Sequence, residues 1–156
     1  ALYGLDITIF RYFTVYGPAG RPDMSMFRFV QWIRENRPLY LNGDGEQSRG
    51  FTYVDDIARG TILGLKKLGY EIINLGGHET IKINALIAMI EGRIGRQAQI
   101  VHLPAHRADM LANCADVSKA QRLLNWQPQV SLAQGVGHLV DWYNAERSWA
   151  KDILTQ

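Results

Sequence analysis

One cysteine, Cys114, stands in a chain of 156 residues, so no internal disulfide can form and the chain suits a reducing compartment. Long apolar runs are missing too. The uninterrupted hydrophobic stretches extend over only a few residues, far short of the roughly 20 that a membrane-spanning helix needs. The first twenty residues also lack the charged, apolar and cleavage regions of a secretory leader, so the expectation is a cytoplasmic protein with no membrane association. Charge of one sign is equally scarce: the net charge is +2 and no run of Lys or Arg occurs, which gives no case for a nucleic-acid partner. The histidines at 78, 102, 106 and 138 are not spaced as metal ligands. No G-x-G-x-x-G follows any strand-like segment, and no Tyr-x-x-x-Lys occurs at all, since Tyr40 is followed four positions on by Asp44 and Tyr70 by Asn74.

What is present is an ordinary globular composition, 47% apolar and 21% charged, in a chain long enough for one core. The segment Phe10 to Asp56 organises it. Asp6 to Phe13 alternates β-branched and aromatic residues and stops at Gly17, Pro18, Gly20 and Pro22, as a strand delivering its C-terminal end to a loop would. In an open α/β sheet that end is where ligands sit. Asp23 is expected to cap a helix whose apolar face is Met26, Phe27, Val30 and Ile33 and which ends near Asn36, before Pro38. Leu39 to Leu41 reads as a short strand. The turn NGDGEQ, residues 42–47, and a return strand at Phe51 to Val54 predict a hairpin. Asp55 or Asp56 is expected to cap a helix with Ile57, Thr61, Leu65 and Leu68 on its buried face.

Further on, Tyr70 to Leu75 reads as a strand stopped by Gly76 and Gly77, and a helix over 83–94 closes on Gly95. A strand over 97–103 leads into the loop PAHRADMLANC. Asp116 is expected to cap a short helix through Leu124, and Ser131 with Gln134 forms a capping box for a last helix running past Trp142 towards Trp149. Strands and helices alternate without repeat or linker, so residues 1–156 read as one α/β unit with parallel strands. Arg21, Arg28 and Arg49 fall in or beside loops or at a helix start. Guanidinium forks there suit a multiply charged anion when they converge, although for any single one surface solvation is the better explanation. The glycines of NGDGEQ precede no helix and no Lys-Ser or Lys-Thr, so turn formation accounts for them better than phosphate binding does.

At FRYFTVYGPAGRPDM and RGFTYVDDIARG, and again through YEIINLGG, ADVSKAQRLLNWQP and GVGHLVDWY, the sequence resembles the extended short-chain dehydrogenase/reductases, specifically the nucleotide-sugar epimerases acting on UDP-glucuronate. Nearly the whole chain takes part. The match is to the C-terminal half of such an enzyme. The implied fold is a partial Rossmann-like α/β fold: C-terminal strands plus the small substrate-binding α/β subdomain, with the N-terminal NAD-binding half and its Tyr-x-x-x-Lys pair absent. The opening ALYGLDITIF resembles an internal cut. In the complete family enzyme NAD takes a hydride from C4 of the sugar and returns it to the other face. The resemblance therefore implies no catalysis and no bound NAD for this chain alone.

By position, the resemblance places Thr14 near the reacting sugar and Arg21 on its carboxylate. Arg28 and Arg49 fall near the diphosphate or its ribose, the backbone of Leu39, Tyr40 and Leu41 along the uracil, Asp109 on the ribose hydroxyls, and Tyr12 towards the nicotinamide. Two departures stand out. His106, Arg107 and Ala108 precede Asp109 where the family has Arg or Gln, then Pro-Gly, and Gly50 replaces a common Asp. The implied partners are a UDP-sugar, held weakly or not at all in isolation, and a second copy of the chain in a homo-oligomer covering the bared sheet edge. Two other readings stand beside this one: a stand-alone, non-catalytic nucleotide-sugar-binding or assembly module, and half of a related nucleotide-sugar decarboxylase or dehydratase. Thr14 and the GRPDM motif weigh against the last.

Overall fold

A computed structural model describes residues 3–77, 79–105 and 112–155. The first strand, β1 (Ile7–Tyr12), runs beside β6 (Tyr70–Leu75) in parallel register from Ile7 opposite Tyr70 to Tyr12 opposite Leu75. Short β2 (Val15–Tyr16) continues the chain and pairs in parallel with β5 (Thr52–Tyr53). Next come α1 (Ser25–Arg34) and β3 (Pro38–Asn42), then β4 (Ser48–Gly50) before β5. β3 pairs in parallel with β8 (Gln99–Leu103). β4 lies between β7 (Thr80–Lys82), antiparallel, and β9 (Ala112–Asn113), parallel. Parallel partners need long crossovers, and the helices α2 (Val54–Leu63), α3 (Ile83–Ile94), α4 (Ser118–Leu124) and α5 (Leu132–Ala145) lie on the crossovers and after them; α6 (Arg147–Ala150) follows.

Two apolar clusters hold the layers. In the larger, Met26, Phe27, Val30 and Ile33 of α1 meet Leu86, Ile87 and Ile90 of α3 and Val136, Leu139, Val140 and Tyr143 of α5, over Leu39 and Leu41 of β3. The helical periodicity of α1 thus translates directly into a buried face. The smaller joins Ile57 of α2, Ile73 and Leu75 of β6, Ala120 and Leu124 of α4, and Trp126. Asp56 ties the two together. It is 2% exposed; its carboxylate accepts the backbone N–H groups of Gln129 and Val130 at 3.0 Å and the Arg59 guanidinium at 2.6 Å. Its carbonyl receives the Trp126 indole N–H at 2.8 Å.

Several local expectations are corrected. NGDGEQ is a turn, with Gly43 and Gly45 at positive φ, but its flanking strands join different sheets, so no hairpin forms. The turn is taken up instead by α3, where the Asn84 N–H donates to the Gly45 carbonyl and the Asn84 side chain to the Asp44 carbonyl. Asp23 does not cap α1, whose N-cap is Met24 without a side-chain bond, because Arg21 engages its carboxylate. Neither Asp55 nor Asp56 caps α2, whose N-cap is Tyr53; Asp56 is drawn to the 127–131 connection. α2 stops at Leu63 and leaves Leu65 at 85% exposure. Asp116 stands one residue before the N-cap Val117, accepting the Ser118 N–H. The last helix breaks after Ala145, where Glu146 separates α5 from α6. The Gly95 cap, at φ 73, and the Ser131/Gln134 capping box form as read.

Just past α1, Glu35 accepts two bonds from Arg147, each at 2.8 Å, and one from the Tyr143 hydroxyl at 3.2 Å. Arg147 first, then Tyr143, outweigh the cost of burial and hold the Glu35 carboxyl below its ordinary range. A depressed folded pKa stabilises fully above the unfolded value, about 4.3 for Glu, and that stabilisation fades as pH falls through the folded value. Urea titrations of the parent and Glu35→Gln should therefore show a stability gap that is full near neutral pH and narrows only as the solution is acidified below about pH 4. A gap that stays constant down to that range would show that Glu35 is not held as described.

Candidate functional site

A cleft of about 280 Å³ opens where β2 gives way to the α1 entry loop, against β3 and β4. Five of the residues singled out from sequence line it together: Thr14, Arg28, Tyr40, Leu41 and Arg49. Each is placed by an identifiable local cause. The Thr14 carbonyl receives the Thr52 N–H at 3.0 Å, fixing the β1 exit beside β5. Arg28 sits one turn into α1, its guanidinium carbon 5.4 Å from the Trp32 ring centroid. Arg49, half-buried on β4, donates to the Ser48 carbonyl at 2.9 Å. Tyr40 and Leu41 alternate across β3, so Tyr40 is 50% exposed while Leu41 faces the core.

The remaining expected residues lie elsewhere. Leu39 is wholly buried beneath β3, so only its backbone could meet a ligand. Arg21 is exposed, bound to Asp23, and outside the lining; Asp23 itself is at the rim. The two hold each other charged, Arg21 keeping the Asp23 carboxyl below its ordinary range. Tyr12 ends β1 with its ring stacked on Phe10 and its hydroxyl 3.0 Å from that of Thr61, away from the cleft. Asp109 lies outside the described residues, as do His106, Arg107 and Ala108.

Sequence reading missed Ser25, Asn42 and Gln47, which also line the cleft. Gln47 donates to the Asn42 carbonyl across the NGDGEQ turn at 3.1 Å; a polar residue at each end of that turn was the available signal. No side chain caps α1 and no acid occupies its first turn, so partial positive charge at its N-terminus adds to that of Arg28 and Arg49. Two guanidiniums, hydroxyl and amide groups and an aromatic rim can hold a phosphorylated ligand with a planar group. Tyr16, behind the cleft, is no proton acceptor: burial, then Glu79, pushes its phenol well above the ordinary value, and it donates to the Leu132 carbonyl. A larger hollow of about 640 Å³ beside α4 has Arg122 as its one charged lining side chain among the described residues, so no set of described charges converges there.

Residues 1–76 match the NAD dependent epimerase/dehydratase family. A UDP-glucuronate 4-epimerase from Thermodesulfobacterium geofontis is 58% identical over 97% of this chain and 47% of its own length. The chain thus resembles the NAD dependent epimerase/dehydratase proteins over nearly its whole length. Its fold is that of a partial Rossmann-like extended dehydrogenase/reductase. The UDP-glucuronic acid 4-epimerase of Bacillus cereus, solved with UDP-glucuronic acid and NAD, superposes with a TM-score of 0.86 at 41% identity, over 91% of this chain and 46% of that one. A UDP-glucose 4-epimerase from Thermotoga maritima, solved with UDP-glucose, gives 0.87 at 30% identity over 93% and 48%. The chain spans about half the length of the relatives it matches. Among the described residues, no helix is long and apolar enough to cross a membrane.

Behind the cleft wall, a Cβ added to Gly77 would lie 1.9 Å from the Phe51 carbonyl oxygen, a backbone atom that cannot swing aside, and Phe51 lines the cleft. Gly92, within α3, faces open space. Gly77→Ala should cost about 1–3 kcal/mol, as overpacking does, whereas Gly92→Ala should add about 0.5–1 kcal/mol through helix propensity. Denaturant midpoints for the two variants check the contrast.

Proposed function

We propose that this chain is the C-terminal, substrate-binding half of a UDP-glucuronate 4-epimerase-type enzyme and that it takes a UDP-sugar in the cleft between α1, β3 and β4. The observation that carries the reading is the convergence of Arg28 and Arg49 on one cleft beside Tyr40 and Leu41, at the positions that the family resemblance assigns to the nucleotide. The relatives solved with UDP-glucuronic acid and with UDP-glucose support it. In this reading Arg28 and Arg49 bind the diphosphate, the β3 backbone at Leu39, Tyr40 and Leu41 borders the uracil, and Asp109 meets the ribose. Thr14 stands at the sugar. Arg21 reaches the sugar carboxylate only by leaving Asp23, and Tyr12 faces the nicotinamide of the complete enzyme.

NAD would supply hydride removal and return in such an enzyme, but residues 1–156 do not fit it by themselves. No glycine-rich dinucleotide turn occurs, and Gly17, at the exit of β2, is packed against Val54 rather than open to a phosphate. The chain's own contribution is to bind the nucleotide end and aim the sugar outward.

Calorimetry with UDP, UDP-glucose and UDP-glucuronate tests the binding. A charge-assisted hydrogen bond contributes about 1.5–3 kcal/mol, so Arg49→Ala should weaken UDP by roughly tenfold or more. Arg21→Ala should leave UDP unchanged and reduce only the preference for glucuronate over glucose. Unaltered UDP affinity in Arg49→Ala would remove that residue from the site, and no UDP binding by the parent at millimolar concentration would defeat the reading. The purified chain should also hold no stoichiometric NAD and form no UDP-galacturonate from UDP-glucuronate; turnover free of contaminating enzyme would contradict this.

A further inference from the structure

Trp32 occupies a junction behind the cleft. Arg28 and Trp32 are one helical turn apart on α1 and therefore neighbours on its surface, with the guanidinium carbon 5.4 Å from the indole centroid. The same ring meets Tyr40 edge to face, with centroids 6.0 Å apart and planes at 88°. Both contacts depend on the plane of one indole: a cation gains from the ring face and an aromatic edge from the same quadrupole, and each is lost if the ring tilts.

That plane is held from the opposite side. The indole Nε1–H of Trp32 donates to the Thr155 hydroxyl at 2.9 Å, and the Thr155 hydroxyl donates in turn to Gln31 Oε1. Gln31 is wholly buried, and its amide nitrogen donates to the carbonyls of Ala150 at 3.1 Å and Ile153 at 2.9 Å. Two consecutive α1 residues thus fasten segment 150–155 to the back of the helix, and that segment returns one hydroxyl to the indole. An indole has a single donor and no acceptor, so Thr155 is the one polar restraint on its orientation.

We propose that Thr155 and Trp32 are positioning residues for the cleft, the C-terminal segment setting the indole plane and the indole setting Arg28 and Tyr40. The proposal rests on the reading of the cleft as a UDP site. Neither residue lines it. Loss of the Thr155 hydroxyl should therefore act on the ligand only through Arg28 and Tyr40.

The experiment compares the parent with Thr155→Val and Thr155→Ser in the full 156-residue chain. The Arg28 Nε–Hε NMR resonance, identified by its loss in Arg28→Lys, lies in the ring current of Trp32 and reports their geometry without any ligand; calorimetry with UDP reports the cleft. Thr155→Val should move the resonance towards that of an exposed arginine and weaken UDP by about three- to tenfold, the worth of one neutral hydrogen bond. Thr155→Ser, which keeps the hydroxyl, should match the parent in both. An unmoved resonance in Thr155→Val overturns the proposal, as does UDP affinity equal to the parent's or a serine variant that behaves like valine. If the parent binds no UDP while the resonance still moves in valine and not in serine, the positioning of Arg28 stands and the UDP reading fails.

Discussion

A buried carboxylate that must be fully satisfied is the constraint on which the rest of the molecule depends. Asp56 lies in the first turn of α2, where the helix dipole favours a negative charge, yet at 2% exposure that alone would not offset its desolvation. The Gln129 and Val130 amides and Arg59 complete its shell. Those amides belong to the connection between the smaller apolar cluster and the larger one. A carboxylate that accepts two backbone donors leaves that connection one path, and the path delivers Ser131 to its capping box at the start of α5.

From α5 the constraint passes to the cleft. Tyr143 meets Phe27 of α1 edge to face and donates to Glu35 at its end, so α1 is held along its length by a helix whose start Asp56 has fixed. α1 carries Arg28 into the cleft on one side and binds segment 150–155 through Gln31 on another. The opposite wall is built from backbone. β3 runs in register with β8, and the NGDGEQ turn docks on α3. Arg28 and Arg49 therefore project from elements braced on different partners, which is how two cations are held near one another before any anion arrives.

Sequence patterns that depend on one element were legible; those that depend on which partner wins were not. Met26, Phe27, Val30 and Ile33 announced the buried face of α1, and Gly95 and Ser131 their helix ends, because periodicity and capping are local. The turn residues of NGDGEQ were also read correctly, since positive φ at Gly43 and Gly45 is a property of the residues themselves. Their hairpin was not, because β3 finds β8 some sixty positions later in the chain, as the register of Leu39 with Ile100 shows, and no local signal reports that. Asp23 and Asp56 failed as caps for the same reason: each is an acid at a helix start, but Arg21 claims one and the 127–131 connection the other. Five cleft residues were reachable through motif resemblance. Trp32 was not, because its contribution lies in contacts to three residues that only the fold brings together.

The two ends of the cleft differ in how they are held, and this bears on how a nucleotide sugar would be recognised in the proposed reading. At the nucleotide end, Arg49 is tied to the Ser48 carbonyl, Arg28 rests on Trp32, and Tyr40 meets the same ring; ordering costs there are met within the chain before ligand arrives, which favours affinity. Towards the sugar the arrangement loosens. Arg21 is exposed and already paired with Asp23, so binding a sugar carboxylate exchanges one charged partner for another and gains little in water-exposed surroundings. Discrimination between a sugar acid and a neutral sugar then has to come from whatever excludes water around Arg21 and Thr14. In that reading, a nucleotide end ordered in advance and a loosely held sugar suit a complete epimerase of the kind resembled, in which the sugar presents both faces while the nucleotide stays in place.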